Sequence, residues 1–345
     1  MQLFGFTLLR NAVKYDYCFQ ESLASLSGIV RYTCIAMGEG EDNTSEIISK
    51  TPNLKIIPTV WDQSLRDSGL ILSQQTNIAL EFLRVEEKEN ADAWAFYLQA
   101  DEVLHEIDYA LIREDIQYAE ENGFDAVAFR YKHFWLNHNT LTVGKKWYPI
   151  ETRAIKLHSS IISVRDAQGF EGCRKVYESN AFIYHYGHVR QESIYRLKKA
   201  DFHKLYNADE NLQKAQKKEE KKYKKGRFLS YLGSHPSVMK ARIELFGDVF
   251  KTDLRDEIWI LAAQHDFPQQ FVNRILAKKI YWIDKIKDCR SSNKRKNMVI
   301  FEPSWWQKML YPSMVNKRPD SDLGSNWTKE YVLTLKLSEK LVGVL

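Results

Sequence analysis

Five short apolar runs, most of them followed by a stretch with helical periodicity, constrain this chain more than any other feature. The runs fall at residues 4–9, 29–37, 54–60, 93–98 and 125–133. Each is the length of a buried strand and too short for a buried helix. Between them, 13–26, 44–49, 68–83 and 103–119 read as helices, with Leu72, Gln75, Thr76 and Ala79 on one helical repeat. Such alternation specifies a parallel α/β sheet with right-handed crossovers and helices on both faces. Ligands of these sheets bind beyond the carboxyl ends of the strands. Those ends carry Thr7, Arg10 and Asn11, then residues 37–42, then Trp61 and Asp62, then residues 99–102.

Beyond Trp147 the pattern changes. Residues 147–157, 161–166 and 181–186 read as further strands, and the chain turns helical and charged from Gln191. A charge run over 214–227 reads as a solvated face, or as a patch for phosphate or lipid headgroups. From residue 234 onward, aromatic clusters such as Ile258-Trp259-Ile260, Ile280-Tyr281-Trp282 and Trp305-Trp306 read as a mainly helical C-terminal extension.

With 44% hydrophobic and 13% aromatic residues the chain has enough apolar material for a sizeable core. Its net charge of +5 suits phosphorylated ligands or anionic headgroups. That charge is too small to argue for nucleic acid, and no nucleic-acid module is present. Cys18, Cys34, Cys173 and Cys289 form no CxxC pair, so reduced thiols are expected. Arg10, Lys14 and Asp16 interrupt the N-terminus too early for a signal peptide, and no apolar run reaches a membrane span. A cytoplasmic location is expected.

The fourth run, Trp94-Ala95-Phe96-Tyr97-Leu98, leads straight into Gln99-Ala100-Asp101-Glu102. A carboxylate where a buried strand opens suits a hard divalent cation such as Mn²⁺ or Mg²⁺. Asp is equally at home as a helix cap. The dipeptide alone leaves both readings open.

The ordered segments GFTLLRNA, WDQSLRDSG, QQTNIAL, WAFYLQADEVLHE, WYP, RAIK, RDAQGF and YHYGHVR resemble the family 2 glycosyltransferases of bacterial cell-surface polysaccharide synthesis. The resemblance covers about residues 1–206. It implies a GT-A fold, a Rossmann-like sheet that binds a sugar nucleotide, with a donor half over about 1–135 and an acceptor half over about 136–206. Residues 207–345 form the helical, basic extension outside it. The implied activity is inverting, metal-assisted transfer of a sugar from a nucleotide-sugar donor to a glycan or lipid-linked acceptor.

Position by position, the family's Asp-x-Asp motif falls on Gln99, Ala100 and Asp101, making Asp101 the implied ligand of Mn²⁺ or Mg²⁺. Gln99 stands where the first Asp is usual. Thr7, Arg10 and Asn11 fall on the loop that holds the nucleotide. The base-reading Asp position is Met37 or Gly38 here, with Glu39 as the substitute candidate. Asp42 and Thr44 are placed to cap the next helix. Trp61 and Asp62 line the cleft, Trp61 as a stacking platform for a base or as a core aromatic. Gln75 and Asn77 lie on a helix approaching the nucleotide from below. The resemblance gives Asp166 the role of general base, with Glu171 and Glu151 in reserve, and makes His185 a second metal ligand. His188 and Arg190 are placed near the leaving diphosphate.

Two other classes compete. A nucleotidyltransferase on the same sheet would carry a Gly-rich basic loop after the first strand, which is missing here. A non-catalytic or differently specialised nucleotide-sugar-binding protein would explain Gln99 and the missing base-reading Asp. The C-terminal region would dock on an anionic inner membrane surface, pack on the catalytic domain or form a homodimer.

Overall fold

The structure, a computed structural model, describes residues 1–62, 65, 69–143, 147–206, 227–231, 233–248, 258–259, 298–300 and 334–336. The chain divides into two compact units. One comprises Met1–Asn137 with Pro149–Lys225, the other His138–Tyr148 with Gly226–Leu345.

In the first unit the elements run β1 (Gln2–Leu9), α1 (Phe19–Ser27), β2 (Thr33–Gly38), α2 (Thr44–Ser49), β3 (Leu54–Thr59), α3 (Leu70–Glu86), β4 (Ala93–Tyr97), β5 (Glu102–Leu104), α4 (Tyr109–Glu121) and β6 (Ala126–Trp135). After β7 (Asn137–Val143) come β8 (Ile150–Lys156), β9 (Ile162–Val164), β10 (Gly169–Glu171), β11 (Val176–His188) and α5 (Glu192–Tyr206). Pairing places the strands in the order β3-β2-β1-β4-β8-β6-β11-β5. Strands β9 and β10 form a separate hairpin.

The alternation of side chains along β1 and β2 builds both layers. Phe4, Phe6, Cys34 and Ala36 face Ile71, Leu80 and Leu83 of α3. Leu9, Ile35 and Met37 face Phe19 and Leu23 of α1 and Ile48 of α2. Each such Phe or Leu removed from water contributes about 1.5–3 kcal/mol. With both faces covered, the inner strands are apolar throughout, as parallel strands require. The expected α/β fold with helices on both faces is therefore present.

Three local expectations change. The sheet is mixed: β1–β4 are parallel neighbours, but β8 runs antiparallel to both β4 and β6. A parallel return from β6 would need a long crossover, usually a helix, and the strand β7 lies there instead. Residues 103–119 are not one helix. Val103 and Leu104 pair with Tyr184 and Ile183 of β11, a 3-10 turn follows at Glu106–Asp108, and α4 begins at Tyr109. The expected helix over 13–26 begins only at Phe19, because Asn11 (φ 51°) and Asp16 (φ 50°) hold a left-handed backbone that no helix continues through.

The loop between β1 and α1 is braced by α2's entry. Thr44 Oγ1 accepts from the backbone N–H groups of Ala12 (2.9 Å) and Val13 (3.2 Å). Asp42 accepts from Lys14 N (2.7 Å), Thr44 N (3.0 Å) and Thr44 Oγ1 (2.6 Å). The pair thus ties two loops together, and the N-cap of α2 is Asn43, without a side-chain cap bond. Burial pushes the Asp42 carboxyl up, but the hydrogen bonds from Thr44, Lys14 and Val13 outweigh it and hold the carboxyl below its ordinary value. A lowered folded-state pKa adds stability above the unfolded value of about 3.9 and loses it as pH falls through the folded one. Asp42→Asn is expected to lower the Tm at pH 7, and the gap from wild type to shrink below about pH 4. Thermal melts of both proteins across that range check it.

In the second unit β7 pairs antiparallel with β12 (Arg227–Ser230). A short helix, α6 (Lys240–Phe246), follows a 3-10 turn. Asp248 accepts from His138 N (2.7 Å) and meets His138 Nδ1 at 2.9 Å. Strands β13 (Ile258–Trp259) and β14 (Met298–Ile300) flank β15 (Thr334–Lys336). The described part of the expected helical extension thus holds both short strands and one short helix. The charge run up to 226 and the aromatic clusters at 280–282 and 305–306 lie outside the described residues. Among the described residues no helix is long and apolar enough to cross a membrane.

Candidate active site

The chain leaves β1 for β2 on one side and returns to β4 on the other. Open α/β sheets bind ligands at the carboxyl ends of the strands where the order reverses, here β1 and β4. Arg10 and Asn11 follow β1, and residues 99–101 follow β4.

On the β1 side, Arg10 Nε donates to the Glu39 carbonyl (2.8 Å), and its guanidinium lies 4.9 Å from the centre of the Trp61 ring. A Cβ on Gly38 would come within 2.3 Å of Trp61 Nε1 and 3.2 Å of Arg10 Cβ. Only glycine lets the ring approach β2 so closely. The Glu39 side chain is exposed. Asn11 Oδ1 accepts from Glu41 N at 2.7 Å, and the Asp62 carbonyl accepts from Leu65 N. Arg10, Gly38, Glu39 and Trp61 thus form one corner. Thr7 is buried, and its hydroxyl donates to the Leu98 carbonyl at 2.6 Å. Gln75 is buried within α3. Asn77 is engaged in two hydrogen bonds with the Ser163 backbone (2.8 and 2.9 Å), which pin β9 to α3.

On the β4 side, Asp101 Oδ2 lies 3.3 Å from Lys198 Nζ, and Asp101 Oδ1 lies 3.8 Å from His185 Nε2. The backbone locks these neighbours, since Tyr186 N donates to the Asp101 carbonyl at 2.8 Å. A Cβ on Gly187 would sit 2.5 Å from His185 Nε2 and 2.7 Å from Asp101 Oδ2, so glycine is required there too. His185 Nδ1 meets His133 Nδ1 at 3.0 Å. Arg190 donates to the carbonyls of Tyr15 and Gly187. Lys198 and Arg190 lie 4.2 and 5.0 Å from the centre of the Tyr17 ring.

Burial pushes the Asp101 carboxyl up, and the charges of Lys198, His185 and Arg190 overcome it and hold the group at about 2. Burial, then Asp101 and Glu102 in opposition, leave the His185 imidazole below its ordinary value. Burial and then His185 lower the His188 imidazole well below its ordinary value. Burial and then the Arg190 charge push the Lys198 ammonium down to about 7 against the pull of Asp101, so the Asp101 anion sits beside a lysine whose charge is finely balanced.

The neighbouring Glu102 has a different task. Its carboxylate, wholly buried, takes Arg153 in a two-pronged ion pair (3.0 and 2.8 Å), the Tyr131 hydroxyl (2.8 Å) and Gln99 N (3.1 Å). The Gln99 side chain donates to the Ala167 carbonyl at 3.1 Å, so the turn carrying Asp166 adjoins the end of β4. Gln168 Nε2 donates to Glu151 at 2.7 Å. Burial raises the Glu151 carboxyl, and Asp166 adds to that rise. Glu171 is exposed at the end of β10. Ala100 packs with Leu9 beneath the site.

Sequence reasoning had no role for Lys198 or Arg153. Lys198 is one of several lysines in an amphipathic helix, and nothing in its spacing marks it as the residue that turns inward. Arg153 lies in the quoted RAIK segment, but its partner is 51 residues away.

The donor set does not suit a divalent cation. Asp101 is the single carboxylate of the cluster and is ion-paired to an ammonium, while Glu102 and Gln99 are committed elsewhere. Among the described residues no group of three or more His, Cys, Asp or Glu side chains is arranged to hold a metal ion.

No protein-family model and no curated protein matches the chain. Similar solved structures include TarS from S. aureus, at 14% identity over 59% of this chain and 39% of that one, with a TM-score of 0.35. Its residues 1–349 match at 14% identity over 62% of this chain and 68% of that one, with a TM-score of 0.33. A 4-diphosphocytidyl-2C-methyl-D-erythritol synthase matches at 10% identity over 63% of this chain and 98% of that one, with a TM-score of 0.35. The chain thus spans about two fifths of the longer TarS chain.

Proposed function

We propose that the protein is an inverting glycosyltransferase that moves a sugar from a nucleotide-sugar donor to a glycan or lipid-linked acceptor. The observation that carries this reading is the cluster at the carboxyl ends of β1 and β4. A buried Asp101 lies there beside Lys198 and His185 after β4, and Arg10 with Trp61 forms a separate corner after β1 and β3. The ordered motifs of residues 1–206 support it from the sequence side. In the reaction the acceptor hydroxyl oxygen bonds to the anomeric carbon while the bond from that carbon to the donor's phosphate oxygen breaks. The electron pair leaves with the nucleoside diphosphate. Asp166 takes the acceptor proton as general base, and Trp61 with Arg10 meets the nucleoside.

A thermal-shift panel of UDP-, GDP-, CMP- and dTDP-sugars tests the reading. One donor is expected to raise the Tm and to be consumed with release of its nucleotide. If none raises the Tm, the reading fails. Stabilisation without consumption, over a range of acceptors, would favour a nucleotide-sugar-binding protein that does no chemistry.

A further inference from the structure

Building on the proposed donor site, we propose that Lys198 and Arg190 hold the donor's diphosphate, with Lys198 in the place a divalent cation would take, so that nucleotide binding needs no metal. Three observations carry this. Lys198 Nζ, with its side chain 11% exposed, already lies 3.3 Å from the carboxylate expected to hold the cation. It approaches from α5, over the rings of Tyr17 (4.2 Å) and Phe202 (5.2 Å), which fix its position. Arg190 is 3% exposed, and its Nε has no hydrogen-bond partner among the described residues.

Two nearly buried basic side chains, Lys198 beside Asp101 and Arg190 on the Tyr15 and Gly187 carbonyls, therefore have one carboxylate near them. Buried charges normally come paired. The Arg153 guanidinium cannot share its anion with them, because Glu102 is enclosed in its own pair with Arg153 and Tyr131. A diphosphate supplies the missing negative charge and the acceptor oxygens that an arginine Nε–H and a lysine ammonium bind. On this reading Asp101 positions Lys198. The carboxylate that would hold a metal instead holds the ammonium that replaces it.

The test uses the full chain, with UDP, GDP, CDP and dTDP as probes, each in EDTA and in excess Mn²⁺. Thermal shift and calorimetry report binding, and electron paramagnetic resonance reports bound Mn²⁺. The expected result is a nucleoside diphosphate that binds in EDTA without loss, and a free Mn²⁺ signal that adding the protein lowers no further than the nucleotide alone does. Lys198→Gln is expected to weaken that binding by about 30-fold or more, as loss of one partner of a buried charge contact does, and Lys198→Arg to restore much of it. Binding that appears only with Mn²⁺, or binding untouched in Lys198→Gln, overturns the proposal and leaves the donor site standing. Binding of no nucleotide under either condition overturns the donor site itself. Should Lys198→Gln not fold, the EDTA comparison and the Mn²⁺ signal on the unaltered chain still decide.

Discussion

Arg153→Leu is expected to destabilise the first unit by about 3–5 kcal/mol, because it strands a charge in the core. Arg153 and Glu102 are both fully buried, and the guanidinium lies 5.3 and 5.4 Å from the ring centres of Tyr97 and Tyr131. Without the cation, Glu102 keeps only the Tyr131 hydroxyl and Gln99 N–H. Taking about 2–4 °C per kcal/mol for a unit of this size, the Tm should fall by roughly 6–20 °C. The double variant Glu102→Leu with Arg153→Leu should recover part of the loss, since neither charge is then left unpaired. A double-mutant cycle on thermal or urea melts measures that coupling. A single variant that melts like the wild type would show that the pair contributes little to folding.

The same pair explains why local sequence specifies β4 but not the strand that follows it. Trp94 to Tyr97 is apolar in every position, and a run that short suits a buried strand. Residues 102–108 give no comparable signal. Val103 and Leu104 match a helical pattern with the residues that follow. They form a strand because β11 offers an antiparallel partner, and Arg153 receives Glu102 as the chain turns. Both partners are distant in sequence, so local periodicity cannot register them. The left-handed backbone at Asn11 and Asp16 was equally hidden, although Asn and Asp are the residues that tolerate it.

The candidate site divides in the same way. The strand-end rule points to Thr7, Arg10, Gly38, Trp61 and Asp101, because these positions close the apolar runs. Thr7 and Asn77 are engaged in bracing the sheet and the β9 hairpin. Lys198 could not be selected. Its inward turn depends on the packing of α5 against the loop after β1, where Tyr15 meets Asp201 at 2.8 Å. Such a contact across 186 residues leaves no trace in composition or spacing.

Asp166→Asn is expected to lower turnover by about 10²–10⁴-fold while leaving donor binding and the Tm nearly unchanged. Asp166 lies in the turn between β9 and β10, flanked by left-handed Arg165 (φ 55°) and Ala167 (φ 59°). That turn is braced on several sides. Gln99 donates to the Ala167 carbonyl, Arg153 Nη1 donates to the Gln168 carbonyl at 2.7 Å, and Asn77 fastens the hairpin to α3. A residue so held beside the end of β4 is fixed in position before substrate arrives, which is what proton abstraction from an acceptor requires. Asn keeps the shape and removes the basic oxygen, so a loss in turnover without a loss in Tm isolates the chemistry from the fold. Glu151 is the control. Its carboxyl is raised by burial and engaged by the Gln168 amide, so Glu151→Gln should cost less turnover. The reverse ranking, measured as nucleotide released from the stabilising donor, would make Glu151 the base and reduce Asp166 to the neighbouring charge that raises its pKa.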